Sequence, residues 1–316
     1  MRLRSAVVAA VLALLVAGCG GSGSGDGASG HGAASVPALQ VANGPVDPAP
    51  GVRPLELRFA APDRLRVPFH VMPAAGLLFD LDTGEVLWRR NPEAVLPIAS
   101  LTKMMTALLV VQRAPADAKV KVTKEALAYK GSAVGVLPKG KRVKLETLLN
   151  GLLLPSGNDA AIALAQRVSG TVARFTGLMN RQAAAYGLRC TRFSSPDGFV
   201  DAGNHSCASD LAALARAVLD EPRLARIVKR RQAIMPFPIK GGRIWLYNNN
   251  PLLRTGYPGA IGVKTGYTDA AGHCLVAAAR RGGRRLGVVL LGSPNTGDQA
   301  RKLLDRGFAV APAAEG

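Results

Sequence analysis

The amino-acid sequence predicts an α+β domain in which an antiparallel sheet is flanked by helices. Three observations support this fold class: strand-like segments at both ends of the folded region, amphipathic helical runs between them, and a leader whose composition cannot build a core. Strands that lie on either side of a helical block can pair in one sheet, so we expect the two ends to share it. The chain has 316 residues and 48% apolar residues, enough for a sizeable core.

The leader has the features of an export signal. Arg2 and Arg4 precede an apolar run at 6–17, which is too short to cross a bilayer but typical of a secretory signal. Val16-Ala17-Gly18-Cys19 resembles a bacterial lipobox, in which the cysteine is acylated and becomes the mature N-terminus. The alternative is an ordinary signal peptide with an incidental cysteine. We expect Cys19 to carry a lipid that holds the protein on the outer face of the cytoplasmic membrane.

Export restricts the partners of this strongly basic chain. Its net charge of +19 fits nucleic acid, an anionic membrane surface or an anionic polymer. Only two of the 40 basic residues precede Cys19, so the exported part remains basic, and nucleic acid is not an expected partner. The predicted segments are a signal peptide (1–18), a Gly/Ser/Pro-rich tether (19–65), a catalytic domain (66–311) and a tail (312–316).

Apolar periodicity predicts the elements of the first half of the domain. A turn at Asp82-Thr83-Gly84 separates two apolar segments and indicates a β-hairpin. At Ser100 a loop enters a helical run, and Pro155-Ser156-Gly157-Asn158 forms a tight connection between two later helices. The predicted strands are 76–81, 85–88, 120–122 and 134–137, and the helices are 100–111, 143–154 and 159–168.

The second half returns to strands after further helices. Ser209-Asp210 is a good helix N-cap, and Gly282-Gly283 indicates a hairpin turn. Glu221-Pro222 indicates another helix start, with proline in the first turn. The predicted helices are 175–186, 209–219 and 301–308, and the strands are 243–247, 260–267, 272–280 and 285–291.

Three short motifs occur once each, in the order Ser100-x-x-Lys103, Ser156-Gly157-Asn158 and Lys264-Thr265-Gly266. Residues three apart share a helix face, so Lys103 should lie beside Ser100. A serine becomes a nucleophile when a base takes its proton, and a lysine is such a base only when burial or a second cation lowers its pKa. Alone, the first motif favours a helix start with a solvated lysine. All three together indicate catalysis.

The motif set resembles that of penicillin-binding proteins and class A β-lactamases. The surrounding sequence resembles low-molecular-mass D-alanyl-D-alanine carboxypeptidases, peptidase family S11, from about Ala75 to Phe308. This resemblance implies a β-lactamase/DD-peptidase-like fold with a helical lobe that carries Ser-Gly-Asn. The segments that carry it, besides the first motif, are 153–161, 195–199 and 262–268.

The same resemblance implies how an acyl-enzyme would form. Ser100 would attack the carbonyl between two terminal D-alanines of a peptidoglycan stem peptide, and Lys103 would accept its proton. The backbone N–H groups of Ser100 and Tyr267 would stabilise the oxyanion. Ser156 would relay a proton to the leaving amine, and Asn158 would hold Lys103 and the substrate amide. β-Lactam antibiotics would acylate the same serine.

The third motif would bind the substrate. Lys264 and Thr265 would face the terminal carboxylate, and Lys264 would help to lower the pKa of Lys103. Gly266 lacks a side chain, so an extended peptide could lie against the strand edge. Many relatives carry an arginine after the last strand for the same carboxylate, but here that place reads Ser293-Pro294-Asn295. Arg254-Thr255-Gly256 imitates the motif, but we interpret it as a structural turn.

We therefore expect a serine-type D-Ala-D-Ala carboxypeptidase that faces the cell wall. The alternatives are a β-lactamase or a D,D-endopeptidase on the same scaffold, or a non-catalytic wall-binding lipoprotein. A class A β-lactamase would need a Glu-x-x-x-Asn segment shortly after Ser-x-Asn. The segment that begins at Glu221 ends in Ala225 and lies further downstream. The scattered histidines show no metal-ligand spacing, so we expect no metal or other cofactor.

The remaining cysteines predict one disulfide. Cys190 and Cys207 flank one loop of an exported domain, where disulfides are permitted. Cys274 alternates with apolar residues in a strand, so we expect it to be a buried free thiol. The alternative is three free thiols, because sequence alone says little about pairing.

Overall fold

Short strands and helices alternate along the chain. The computed structural model describes residues 55–239 and 241–310, so Cys19, the signal peptide, most of the tether and the tail lie outside the described residues. The described strands are Arg58–Phe59 (β1), Ala75–Asp80 (β2), Glu85–Arg90 (β3), Leu96–Pro97 (β4), Lys119–Lys121 (β5), Arg142–Lys144 (β6), His205–Ser206 (β7), Gln232–Pro236 (β8), Arg243–Tyr247 (β9), Ala260–Thr268 (β10), Gly272–Arg281 (β11) and Arg284–Leu291 (β12).

The described helices lie mostly between β3 and β10. They are Lys103–Arg113 (α1), Lys124–Leu127 (α2), Leu145–Leu153 (α3), Asn158–Ser169 (α4), Val172–Ala185 (α5), Ala208–Asp220 (α6), Pro222–Val228 (α7), Pro251–Arg254 (α8) and Thr296–Ala309 (α9). A 3₁₀ turn at Ala99–Thr102 leads directly into α1. In the described part of the chain no helix has the length and apolar character needed to cross a bilayer.

A six-stranded sheet joins the two ends of the domain. Its spatial order is β1-β3-β2-β12-β11-β10, and β2 pairs antiparallel with β12, with Leu78 opposite Val288. The predicted α+β class, with both ends in one largely antiparallel sheet, is therefore confirmed. The exception is the short edge strand β1, which pairs parallel with β3. Leu55 is also buried in the core, so the packed region begins before residue 66. The two residues of β1 and this single leucine are too few to form a periodic apolar pattern, so the sequence does not indicate that packing begins this early.

Helices cover both faces of the sheet. Alternate residues of β12 pack on opposite sides: Val289 belongs to the larger core beneath α1 and α6, and Val288 to a second core closed by α9. Leu303 and Leu304 of α9 are fully buried in that second core. Each such side chain contributes about 2 kcal/mol relative to an exposed one. Buried side chains therefore pack on both faces of the sheet, and this packing holds its edge strand β10 in position.

Segment 134–137 is not a strand, contrary to the sequence prediction. The amides of Val134 and Gly135 donate to the carboxylate of Asp159 at 2.9 and 3.0 Å, and Gly135 has a φ of +83°. This local bonding replaces a strand ladder, and β5 pairs with β6 instead. Val143 consequently lies in β6 rather than at the start of a helix.

A disulfide links Cys190 and Cys207, with their Cα atoms 5.5 Å apart. Helix α6 begins just after it, and Cys207 rather than Ser209 occupies the N-cap position. The Asp210 carboxylate instead accepts the Cys190 amide at 2.8 Å and so ties the loop to the helix. Cys274 is free and buried, and burial raises the pKa of its thiol to about 11.

Candidate active site

Ser100 and Lys103 lie together at the turn that begins helix α1. Ala99 has a φ of +48°, which places Ser100 inside the 3₁₀ turn, partly exposed. Lys103 is fully buried, and its Nζ donates to three oxygens at 2.7 Å: Ser100 Oγ, Asn158 Oδ1 and the Asp197 carbonyl. The first motif is thus a buried contact, which excludes the solvated lysine that the motif alone would favour.

Burial changes the protonation of Lys103. Desolvation lowers its pKa to about 7, against the opposing fields of Asp197 and Asp159. A neutral amine has two N–H donors and one lone pair. Of its three partners, the amide oxygen of Asn158 and the Asp197 carbonyl can only accept, whereas the Ser100 hydroxyl can also donate. The lone pair of neutral Lys103 must therefore face Ser100, the geometry that a general base needs.

The loop before α4 brings the second motif to the same place. Ser156 has a φ of +70° and is 4% exposed, and its Oγ accepts a hydrogen bond from Lys264 Nζ at 2.9 Å. Because Lys264 donates to the Ser156 hydroxyl oxygen, the Ser156 hydrogen remains available for donation to another acceptor. Asn158 bridges two segments, since its Oδ1 accepts from Lys103 and its Nδ2 donates to the Lys130 carbonyl.

Strand β10 supplies the third motif. Lys264 is 1% exposed, and its Nζ also donates to the Thr265 carbonyl at 2.8 Å. Desolvation, with a smaller effect of the Lys103 charge, lowers the pKa of Lys264 well below its usual value. The sequence prediction had Lys264 lowering the pKa of Lys103, whereas the effect found runs from the Lys103 charge to Lys264, and burial is the larger cause for both lysines.

Gly266 lies against the nucleophile turn. A Cβ there would lie 3.0 Å from the Ile98 carbonyl oxygen and 3.2 Å from the Ser100 amide nitrogen. Only glycine lets the strand approach Ser100 this closely. Tyr267, the next residue, is 56% exposed and stacks on His273 with ring centroids 4.6 Å apart.

Segment 195–199 contributes a contact to which sequence reasoning gave no role. The Asp197 carbonyl is the third acceptor of Lys103, and Thr106 Oγ1 holds the preceding Pro196 carbonyl at 2.6 Å. Gly198 has a φ of +73°, and a Cβ there would lie 2.1 Å from the Ala99 carbonyl oxygen. The resemblance of this segment to relatives was the available signal, but a backbone carbonyl leaves no mark in a motif.

Two regions that the sequence analysis singled out have structural roles. Helix α7 begins after Glu221 with Pro222 in its first turn, as predicted, and the Glu221 side chain caps it by accepting the Arg223 amide. Asn295 caps α9 by accepting the Asp298 amide at 3.1 Å, and Ser293 Oγ donates to Gln299. No described atom of this turn provides a cation for a substrate carboxylate.

The described residues contain one cluster with metal-ligand chemistry, formed by Glu93, Cys190 and Cys207. Both sulfurs belong to the disulfide, so neither is a thiolate ligand.

The family model that matches this chain, over residues 65–295, is that of the D-alanyl-D-alanine carboxypeptidases, Peptidase_S11. The chain is 39% identical over 249 residues to D-alanyl-D-alanine carboxypeptidase DacB2 of Mycobacterium tuberculosis, a match covering 75% of this chain and 83% of that protein. It is 33% identical over 243 residues to DacF of Bacillus subtilis, covering 74% of this chain and 62% of the Bacillus protein.

Solved structures of DD-peptidases are also similar to this chain. The Streptomyces K15 DD-transpeptidase superposes with a TM-score of 0.73 at 32% identity, covering 78% of this chain and all of that one. A D-alanyl-D-alanine carboxypeptidase from Mycobacterium tuberculosis gives 0.72 at 35% identity, covering 86% and 98%. The predicted DD-peptidase-like fold is therefore confirmed.

Proposed function

The chain belongs to the D-alanyl-D-alanine carboxypeptidase family, peptidase family S11, and we propose that it removes the terminal D-alanine from peptidoglycan stem peptides. It spans about three fifths of the Bacillus relative's length. The observation that carries the proposal is the 2.7 Å contact of the buried Lys103 Nζ with Ser100 Oγ, since the other two partners of this amine can only accept. A non-catalytic wall-binding protein would have no need of a buried lysine directed at a serine hydroxyl.

The first step is acylation of Ser100. Neutral Lys103 takes the Ser100 proton along their 2.7 Å contact, and the serine oxygen attacks the carbonyl between the two D-alanines. Asn158 and the Asp197 carbonyl hold the resulting ammonium in place. The backbone N–H groups of Ser100 and Tyr267 are assigned to the oxyanion, a role supported by the close approach of Gly266 to the Ser100 amide.

The leaving amine then needs a proton. Ser156 is suited to relay it, because its hydroxyl accepts from Lys264 and so directs its own hydrogen away from that lysine. Ser156 gives that hydrogen to the amine and is reprotonated by the proton that Lys103 took from Ser100, so Lys103 returns to its neutral form. D-alanine leaves, and water hydrolyses the ester to regenerate Ser100. We assign the terminal carboxylate to Lys264 and Thr265, and the peptide backbone to the β10 edge beside Gly266, where it would add as a strand.

A D-Ala-D-Ala-terminated peptide and penicillin together test this function. The purified protein should release D-alanine from the peptide, and mass spectrometry should place a penicilloyl adduct on Ser100. Ser100→Ala should lose both. An adduct on another residue would show that the nucleophile assignment is wrong.

Slow deacylation separates the peptidase from a β-lactamase. Glu221 is engaged as the cap of α7, and its side chain accepts the Arg223 amide. No glutamate-activated water of the class A kind is therefore expected beside the acyl group. The enzyme should turn over D-Ala-D-Ala peptides while penicillin keeps it blocked. Rapid steady-state hydrolysis of nitrocefin would identify the β-lactamase alternative instead.

The anchor is a separate proposal. The lipobox-like Val16-Ala17-Gly18-Cys19 supports acylation of Cys19, which would hold the domain on the outer face of the cytoplasmic membrane. A fatty-acid probe should label the wild-type protein and leave Cys19→Ser unlabelled. Equal labelling of both proteins would contradict the anchor.

A further inference from the structure

The β8–β9 hairpin has a buried inner face that fixes its position on the domain. Ala233 and Leu246 lie opposite each other in the strand register and are buried in the larger core. Thr147 Oγ1 of helix α3 donates to the Pro236 carbonyl at 2.9 Å. Side chains of alternate residues point to opposite faces of a strand, so the outer face of this hairpin has a defined direction.

The outer face carries apolar side chains where solvent-facing strand positions are usually polar. Ile234 and Trp245 lie opposite each other and are 49% and 55% exposed. Tyr247 lies two residues further along the same face and is 60% exposed, and Ile239 is exposed in the connection between the strands. The second tryptophan of the chain, Trp88, is buried. The hairpin therefore presents an apolar and aromatic surface to solvent.

The sequence around this surface is basic throughout. Between Glu221 and Asp269 the chain has nine lysines and arginines and no acidic residue. Arg231 and Arg254 line a pocket beside Tyr247, and no residue of that lining is acidic. Within the described part of the chain, neither guanidinium forms an ion pair with a carboxylate. Arg231 Nη2 donates instead to the Arg254 backbone carbonyl at 3.0 Å, so both arginines are available to an anion.

This combination of side chains suits an anionic bilayer surface. Tryptophan and tyrosine are enriched where a membrane meets water, and aliphatic side chains there reach the acyl chains. Basic residues are attracted to anionic headgroups, and guanidinium groups bind phosphate through paired N–H donors. A soluble anionic polymer would use the arginines and rings but would leave Ile234 and Ile239 in water.

We propose that the outer face of the β8–β9 hairpin binds the surface of an anionic phospholipid bilayer. Ile234 and Trp245 enter the interface, and Arg231 and Arg254 hold a headgroup phosphate. This contact goes beyond the proposed reaction at Ser100 and is independent of a lipid on the N-terminal cysteine. It would bring the catalytic domain itself onto the membrane with one face directed toward the bilayer.

Vesicle binding tests the contact on the mature chain from residue 19, with Cys19→Ser so that no lipid contributes. The protein should sediment with phosphatidylglycerol vesicles, less so in high salt, and much less with phosphatidylcholine vesicles. Tryptophan emission should move to shorter wavelength on binding, because Trp245 leaves water. Trp245→Phe should keep most of the binding and lose this emission change, since Trp88 is already buried.

The apolar part of the surface is tested by Ile234→Ser. About half of this side chain is exposed and can be buried by the bilayer, so its loss should weaken binding to phosphatidylglycerol vesicles about fivefold. Val95→Ser is the matched control, because Val95 is equally exposed but lies outside the hairpin, before β4. It should bind as wild type does.

The charged part is tested by the double variant Arg231→Gln/Arg254→Gln, which should lose about tenfold in binding to the same vesicles. Its matched control removes two exposed arginines of α5 and the loop after it, Arg174→Gln/Arg192→Gln. Both double variants lower the net charge by two. An equal loss in the two would show attraction to net charge only and would overturn the proposal.

Other results would also contradict it: no sedimentation with phosphatidylglycerol vesicles, binding without a change in Trp245 emission, or an equal loss in Val95→Ser. Soluble poly(glycerol phosphate) that binds as tightly as the vesicles, at equal phosphate concentration, would identify a wall polymer as the partner instead. Penicillin acylation of Ser100 in solution should proceed at the wild-type rate in every variant, which shows that each is folded. If wild type itself is not acylated, the proposed function fails, while the vesicle measurements still decide this inference.

Discussion

The pH dependence of Ser100 acylation tests the central feature of the site, the neutral form of Lys103. With a pKa of about 7, roughly half of Lys103 is neutral at pH 7. A lysine at its usual value would be neutral in only about 3 molecules in 10,000, so burial raises the concentration of the active base more than about a thousandfold. The acylation rate should rise about tenfold per pH unit below 7 and level off above about pH 8.

The assay is the second-order rate of acylation by a fluorescent penicillin between pH 5 and 10. Lys103→Ala is the control: it should remain folded and lose acylation by a factor of at least about 10². A wild-type rate that climbs tenfold per unit through pH 9 would refute the lowered pKa. Full acylation of Lys103→Ala would exclude Lys103 as the essential base.

Three further predictions concern the residues around this base. Gly266→Ala should slow penicillin acylation by about tenfold or more, because its Cβ would crowd the Ser100 amide at 3.2 Å; stopped-flow rates check this, and an unchanged rate would contradict it. Asp159→Asn should move the rising limb of the pH profile to lower pH, since the Asp159 charge raises the pKa of Lys103; a limb displaced upward would disagree. Unfolded, non-reduced mature protein should show one reactive thiol besides Cys19, whereas three such thiols would disprove the Cys190–Cys207 bridge. Because the bridge restrains the unfolded chain, Cys207→Ser should lower the free energy of unfolding by about 3 kcal/mol.

Local signals made much of the fold predictable. The hairpin turn at Asp82-Thr83-Gly84 and the Gly282-Gly283 turn fix their strands through nearest-neighbour geometry, and both appear as expected. Segment 134–137 failed because its amides bind Asp159, which follows more than twenty residues later. A local apolar pattern cannot reveal a distant carboxylate that competes for backbone donors.

The candidate site likewise has residues that the sequence predicts and contacts that only the fold reveals. The motif side chains of Ser100, Lys103 and Asn158 could be assigned from type and spacing, because their chemistry requires those groups. The Asp197 carbonyl could not, since every residue has a carbonyl and only the fold aims this one at Lys103. The burial that lowers the pKa of Lys103 is likewise a property of the packed helices, not of the motif.

In the proposed mechanism, the two buried lysines would also link substrate binding to the position of a proton. Burial lowers the pKa of both Lys103 and Lys264, and the charge of Lys103 further lowers the pKa of Lys264. A substrate carboxylate placed beside Lys264 favours the charged form of that lysine. The resulting Lys264 ammonium disfavours a second positive charge on Lys103 and so keeps its lone pair available. In the proposed mechanism, a ligand that carries the carboxylate therefore keeps Lys103 ready to take the Ser100 proton, whereas an uncharged analogue should acylate Ser100 more slowly even if it reaches the same position.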